Sequence, residues 1–169
     1  MKAFEQSSKP QTILVQAEQN TTAWIGHLQN DPANHFGGQT FASPSDGWLD
    51  NIQLFVSAIS CPGEIELSFH EFDPGNQTWS SVLGQSVLHI KHTDRQKWIR
   101  FEMPALWLQK EKVYGFRLHT HHAMIGLGEA AHNTDHPFTF GNEWHSNSAI
   151  DKGYYYSYFS MMFKVEMRE

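Results

Sequence analysis

The chain has 169 residues, 40% hydrophobic and 14% aromatic, with a net charge of −6 and a sequence pI near 6.0. That length fits one domain able to bury about two-thirds of its unfolded surface, and the composition excludes a disordered chain. The acidic balance excludes a general nucleic-acid or anionic-membrane binder, and no stretch reaches the roughly 20 apolar residues of a spanning helix.

The single cysteine, Cys61, excludes an intrachain disulfide and leans towards a reducing compartment. The opening residues MKAFEQSSKPQ hold no apolar run of signal-peptide type, so the cytoplasm is the default expectation. Residues 1–10 are polar and read as a flexible arm, with a single domain over residues 11–169.

Thr12–Gln16 is a short strand candidate. Residues 30–38 (NDPANHFGG) are dense in turn formers, and a short strand follows over Gly38–Ala42. Trp48–Ser60 is rich in β-branched and aromatic residues. Glu64–Phe72 alternates cleanly, with Ile65, Leu67 and Phe69 on one face and Glu66, Ser68 and His70 on the other. DPGN at residues 73–76 is a turn, and Thr78–Lys91 is one or two strands interrupted near Gly84. Trp98–Met103 alternates until Pro104, which cannot donate to a central ladder. Val113–Thr120 sets Tyr114, Phe116 and Leu118 opposite Arg117 and His119. Ala123–Leu127 is a further short strand, Ala130–Asn147 a long polar loop, and Tyr154–Arg168 one closing strand. Helical periodicity is confined to single turns at Leu106–Lys112 and Glu129–His132. Many short strands separated by turns predict an all-β, antiparallel β-sandwich with little helix.

Four segments carry a resemblance: GQTFASPSDGWLDNIQLFV (38–56), GEIELSFHEFDPGN (63–76), WIRFEMPALWLQKEKVYGFRL (98–118) and YFSMMFKVEM (158–167). Together they resemble the jelly-roll β-sandwich modules of the galactose-binding-like and carbohydrate-binding type found in many bacterial proteins. The resemblance implies jelly-roll topology and a role in binding sugars, in adhesion or spacing, or in carrying a structural calcium ion. Such modules are often secreted. No residue matches a fixed family site, and the richness in histidine departs from the type.

Six of the eleven histidines fall between Gly115 and His145. Imidazole is a common transition-metal ligand, and residues two apart share a strand face, as His119 and His121 do. With His136 and His145 they form the candidate metal set, the rival being a set of surface histidines hydrogen-bonded locally. A cupin-like metal enzyme would use these four. However, the acid after His119-x-His121 comes too late, at Glu129, and the spacing from Pro137 through Gly141 to His145 is wrong for the second cupin motif.

A carbohydrate site needs aromatic faces and a few placed polar groups. Trp144, Arg117, His119, His121, Asn142 and Tyr156 are the candidates, with Trp79, Tyr154 and Tyr155 as further rings. Asp31, Asp46, Asp50, Asp73 and Asp135 sit in turns that could hold calcium, although aspartate also favours turns for its own backbone reasons. Cys61 in Ser-Cys-Pro-Gly reads as a buried or semi-buried thiol, and no G-x-S-x-G elbow or phosphate-cradling glycine loop is present. The expectation is a non-catalytic binding module with carbohydrate as partner. The alternatives are the cupin-like enzyme and a structural or homo-oligomerising module with Met161, Met162 and Met167 at a subunit contact.

Overall fold

The computed structural model describes residues 8–27, 30–150 and 152–169, so most of the expected N-terminal arm lies outside the described residues. The strands are β1 (Gln11–Gln16), β2 (Thr21–His27), β3 (Asn34–Ala42), β4 (Gly47–Cys61), β5 (Gly63–Asp73), β6 (Thr78–Trp79) and β7 (Gly84–Ile90). They continue as β8 (Lys97–Leu108), β9 (Val113–His119), β10 (Met124–Ala131), β11 (Glu143–Asn147), β12 (Tyr154–Tyr156), β13 (Phe159–Met161) and β14 (Phe163–Arg168). A 3-10 turn at His92–Asp94 is the only helical element among the described residues, and every strand pair among them is antiparallel. The chain is an all-β sandwich.

One layer runs β7-β5-β9-β3-β11-β12, with β6 and β7 succeeding one another along one edge of β5. The other is built on the long β4, which pairs with β8 along one side. On its other side β14 takes the first half and β10 the second. Strand β1 extends this layer beyond β14, and β2 extends it beyond β10. The layers are stitched where Gly26 and His27 of β2 meet His35 and Asn34 of β3.

The alternation of the strands supplies the core. Phe41, Phe69 and Phe116 of the first layer and Ile52, Leu54, Phe101 and Phe163 of the second are fully buried. The Phe163 ring bridges the layers, 6.1 Å from Phe41 and 6.0 Å from Phe116 between centroids. Each such side chain contributes about 1.5–3 kcal/mol through burial.

Several elements depart from the sequence expectations. Pro104 does not end its strand, because β8 continues to Leu108. The β4–β8 register shifts between Leu49↔Leu106 and Asn51↔Glu102, so the exposed Pro104 sits in a bulge where its missing N–H costs no ladder bond. The expected helical turns at Leu106–Lys112 and Glu129–His132 are instead the end of β8 followed by a turn, and the end of β10. The turn-rich stretch before Gly38 already becomes β3 at Asn34. The polar loop contains β11, and β2 was not anticipated. The closing segment is three strands, because its partner changes from β11 to β10 and then to β1 and β4. Cys61 is exposed rather than buried. Met161, Met162 and Met167 are buried within the chain itself, which removes them as a subunit contact surface.

Candidate functional site

Register assembles a site on the outer face of the first layer. Ser68 of β5 pairs with Arg117 of β9, Arg117 with Gly38 of β3, Gly38 with Trp144 of β11, and Trp144 with Tyr155 of β12. Paired residues project to the same side of a sheet, so these five positions form one row across five strands. A neighbouring row starts with Glu66, opposite His119, and the Phe36 ring lies 5.3 Å from that of His119.

Gly38 leaves the gap that lets the row close up. A Cβ there would sit 2.4 Å from the Phe116 carbonyl oxygen and 3.2 Å from Trp144 Cε3. Across this gap the Arg117 guanidinium lies 5.7 Å from the Trp144 ring centre. Trp79 lies next to Trp144, their ring centres 5.7 Å apart, meets Arg117 at 5.0 Å and donates its indole N–H to Tyr155 Oη at 2.8 Å. Arg117 therefore rests against two adjacent indoles, within cation–π distance of each.

His70 lies beneath, fully buried. Its Nδ1 sits 2.8 Å from the Ser80 carbonyl, which can only accept, so Nδ1 carries the proton. Nε2 then accepts from the Ser68 hydroxyl at 2.7 Å, with Arg117 Nε 3.4 Å away. Burial, followed by the Arg117 charge, holds the His70 pKa below its ordinary value against the Ser80 bond, which keeps it neutral at pH 7. Burial and the neighbouring His121 likewise lower His119, with Glu66 opposing. Burial also lowers the pKa of Arg117, which stays far above neutrality, and no ion pair among the described residues includes this arginine.

Of the expected ligand residues, Arg117, His119 and Trp144 line one shallow groove of about 220 Å³ with Phe36, Glu66, Ser68 and Leu118. His121 stands beside it, exposed, its ring 4.5 Å from that of His119. Trp144 is only 6% exposed, with its indole N–H donated to the Lys152 carbonyl, so it is a wall behind Arg117 rather than a free stacking platform. Asn142 tethers the preceding loop to β3, its backbone N–H donating to Thr40 Oγ1 at 2.9 Å. Tyr156 faces away from Tyr155, its ring 5.5 Å from that of His145. Sequence reasoning omitted Phe36, Glu66, Ser68 and His70. The alternation of β5 already set the last three on one outward face, and only the pairing with β9 was missing.

The four histidines of the expected metal set are divided. His119 lines the groove with His121 beside it, and the His136 carbonyl accepts from His132 Nδ1 at 3.1 Å. His145 instead meets two carboxylates. Among the described residues, Glu129, Glu143 and His145 are the one group of metal-capable side chains whose ligand atoms all lie within 4.8 Å of one another. Glu143 and His145 alternate with Trp144 on β11 and so point away from the groove. Glu129 reaches them from β10 in the other layer.

His145 Nε2 hydrogen-bonds Glu143 Oε2 and lies 3.4 Å from Glu129 Oε2. Burial pushes Glu143 up to about 8, and the anionic Glu129 adds to this. Burial also works to lower His145, but its bonds to Glu129 and Glu143 prevail and hold it at about 9. Burial would raise Glu129, yet the bonds from His145, Glu143 and Thr21 bring it below the usual range. At pH 7 a protonated Glu143, an anionic Glu129 and a cationic His145 sum to zero.

Four of the five aspartates considered for calcium have protein partners. Asp50 pairs with Arg100 and Arg168, Asp31 with His35, Asp73 caps its own turn, and Asp46 accepts from the Lys110 backbone. Comparison of the chain with protein-family models finds no match, and a search of curated proteins finds no significant relative.

Proposed function

We propose that the chain is a non-catalytic binding module of jelly-roll, galactose-binding-like type that recognises carbohydrate at the Arg117 groove. One observation carries the reading. Arg117 is half-buried against Trp79 and Trp144, without an anionic partner among the described residues, at the floor of an open groove. Withdrawing a cation from water without a counterion costs free energy, and a ligand rich in oxygen acceptors offsets that cost. The guanidinium fork suits two vicinal hydroxyls or a carboxylate on a sugar. Phe36 and His119 offer ring faces, while Ser68 and Glu66 can exchange hydrogen bonds with hydroxyl groups. A groove of about 220 Å³ is smaller than the roughly 300–1,000 Å³ of most small-molecule pockets, which suits one exposed sugar ring.

The test is a glycan array probed with the wild type and Arg117→Met, with titration calorimetry on the hits. The expected result is a set of bound saccharides whose affinity falls about 10–150-fold in the variant, the range for losing a hydrogen bond to a charged group. No bound glycan, or unchanged affinity in Arg117→Met, refutes the reading.

A further inference from the structure

We propose that Glu129, Glu143 and His145 bind one divalent transition-metal ion of the zinc class, at a site distinct from the groove. Three observations converge on it. First, the two carboxylates come from opposite layers and are almost wholly withdrawn from solvent, Glu129 being 4% exposed and Glu143 0%. Second, Glu143 Oε1 is buried without a hydrogen-bond partner, and the buried Glu129 Oε2 has only the long 3.4 Å contact with His145 Nε2. Buried carboxylate oxygens are normally satisfied, so these two beside a single imidazole are what a cation would complete. Third, the spacing fits. Ligand atoms about 2.0–2.1 Å from a tetrahedral zinc ion stand about 3.3–3.4 Å from one another. Glu129 Oε2 and His145 Nε2 are 3.4 Å apart and the three ligand atoms lie within 4.8 Å of one another; the short hydrogen bond between His145 Nε2 and Glu143 Oε2 opens when the ion displaces its proton.

The donor set narrows the ion. One imidazole nitrogen with two carboxylates suits zinc, cobalt or manganese, whereas calcium asks for six to eight oxygens and copper(I) for sulfur. Orienting groups are present as well. The Tyr156 and Phe159 rings flank the His145 ring, and Thr21 donates to Glu129. The His145 side chain is 39% exposed, which leaves an entry path and room for a fourth ligand from solvent.

The experiment uses full-length protein without an oligohistidine tag, stripped with chelator and titrated with Zn²⁺ by calorimetry and Co²⁺ by visible absorption. One equivalent should bind per chain, and Zn²⁺ at a hundredfold excess over its Kd should raise Tm by about 5–10 °C. Glu143→Gln should retain the fold and the apo Tm while weakening Zn²⁺ at least tenfold. His145→Asn should do the same, and His119→Ala/His121→Ala should bind as the wild type does. Two results overturn the proposal: no stoichiometric ion in the wild type, or binding that survives Glu143→Gln and His145→Asn but disappears in the His119/His121 variant. If neither site variant folds, the wild-type stoichiometry and the His119/His121 control decide alone. A wild type that takes up no ion would leave the cluster as a proton-sharing carboxylate pair, and the glycan test at Arg117 is unaffected either way.

Discussion

Replacing Arg117 by methionine separates a residue kept for a ligand from one kept for the fold. Methionine keeps an unbranched stem against Trp79 and Trp144 and deletes the charge. The variant loses two cation–π contacts, at 5.0 and 5.7 Å, each worth about 0.5–1 kcal/mol at a partly exposed position. The 3.4 Å contact to His70 Nε2 is too long to add much. Against this, the half-buried guanidinium no longer has to give up hydration without a carboxylate nearby, and that relief is of similar size. The balance is a stability change within about 1 kcal/mol, or about 2–4 °C in Tm for a domain of this length. Urea and thermal unfolding followed by far-UV circular dichroism measure it directly. Saccharide binding by the same preparation should fall at least tenfold. A loss of more than about 3 kcal/mol would refute the reasoning, because Arg117 would then be a structural clamp whose removal collapses the Trp79–Trp144 wall.

Other perturbations test the frame around the groove. Phe163→Ala should cost about 3–5 kcal/mol in urea unfolding, since its fully buried ring touches Phe41, Phe116 and Phe140 across the layers; a cost below 1 kcal/mol would contradict that placement. Gly38→Ala brings a methyl group against the Phe116 carbonyl and Trp144, so it should destabilise by about 1–3 kcal/mol and alter the near-UV dichroism of the indoles; a silent variant would show that Gly38 does not set the approach of Arg117 to Trp144. Burial holds the folded pKa of His70 below its ordinary value of 6.5, so below about pH 6.5 the unfolded chain takes up a proton that the folded chain declines. Its contribution to stability is therefore constant above that pH and is lost progressively as the pH falls below 6.5. His70→Gln should flatten this part of the pH profile in urea titrations, and an identical slope would count against a buried neutral imidazole.

The two sites differ in how far the sequence reveals them, for a physical reason. Period-two alternation is imposed by the pleat, so Arg117 and His119 were assignable to the outward face of their strand, and Ser68 and His70 to the outward face of theirs. Their neighbours across the sheet were not assignable. Gly38 meets Arg117, and Trp144 meets Gly38, only through pairings between strands distant in the chain, which one strand's periodicity does not encode. Register therefore converted two legible strand faces into one groove. The carboxylate cluster is harder still. Polar residues default to the surface, so Glu143 and His145 in a five-residue strand resemble a loop, and Glu129 at the end of β10 resembles the start of a helical turn. Only when β10 and β11, from opposite layers, close on one another do both carboxylates become buried. Their burial is a property of the sandwich and of no single segment. A cluster so costly to withdraw from water is where a metal ion, or a shared proton, would be expected to earn its place in the fold.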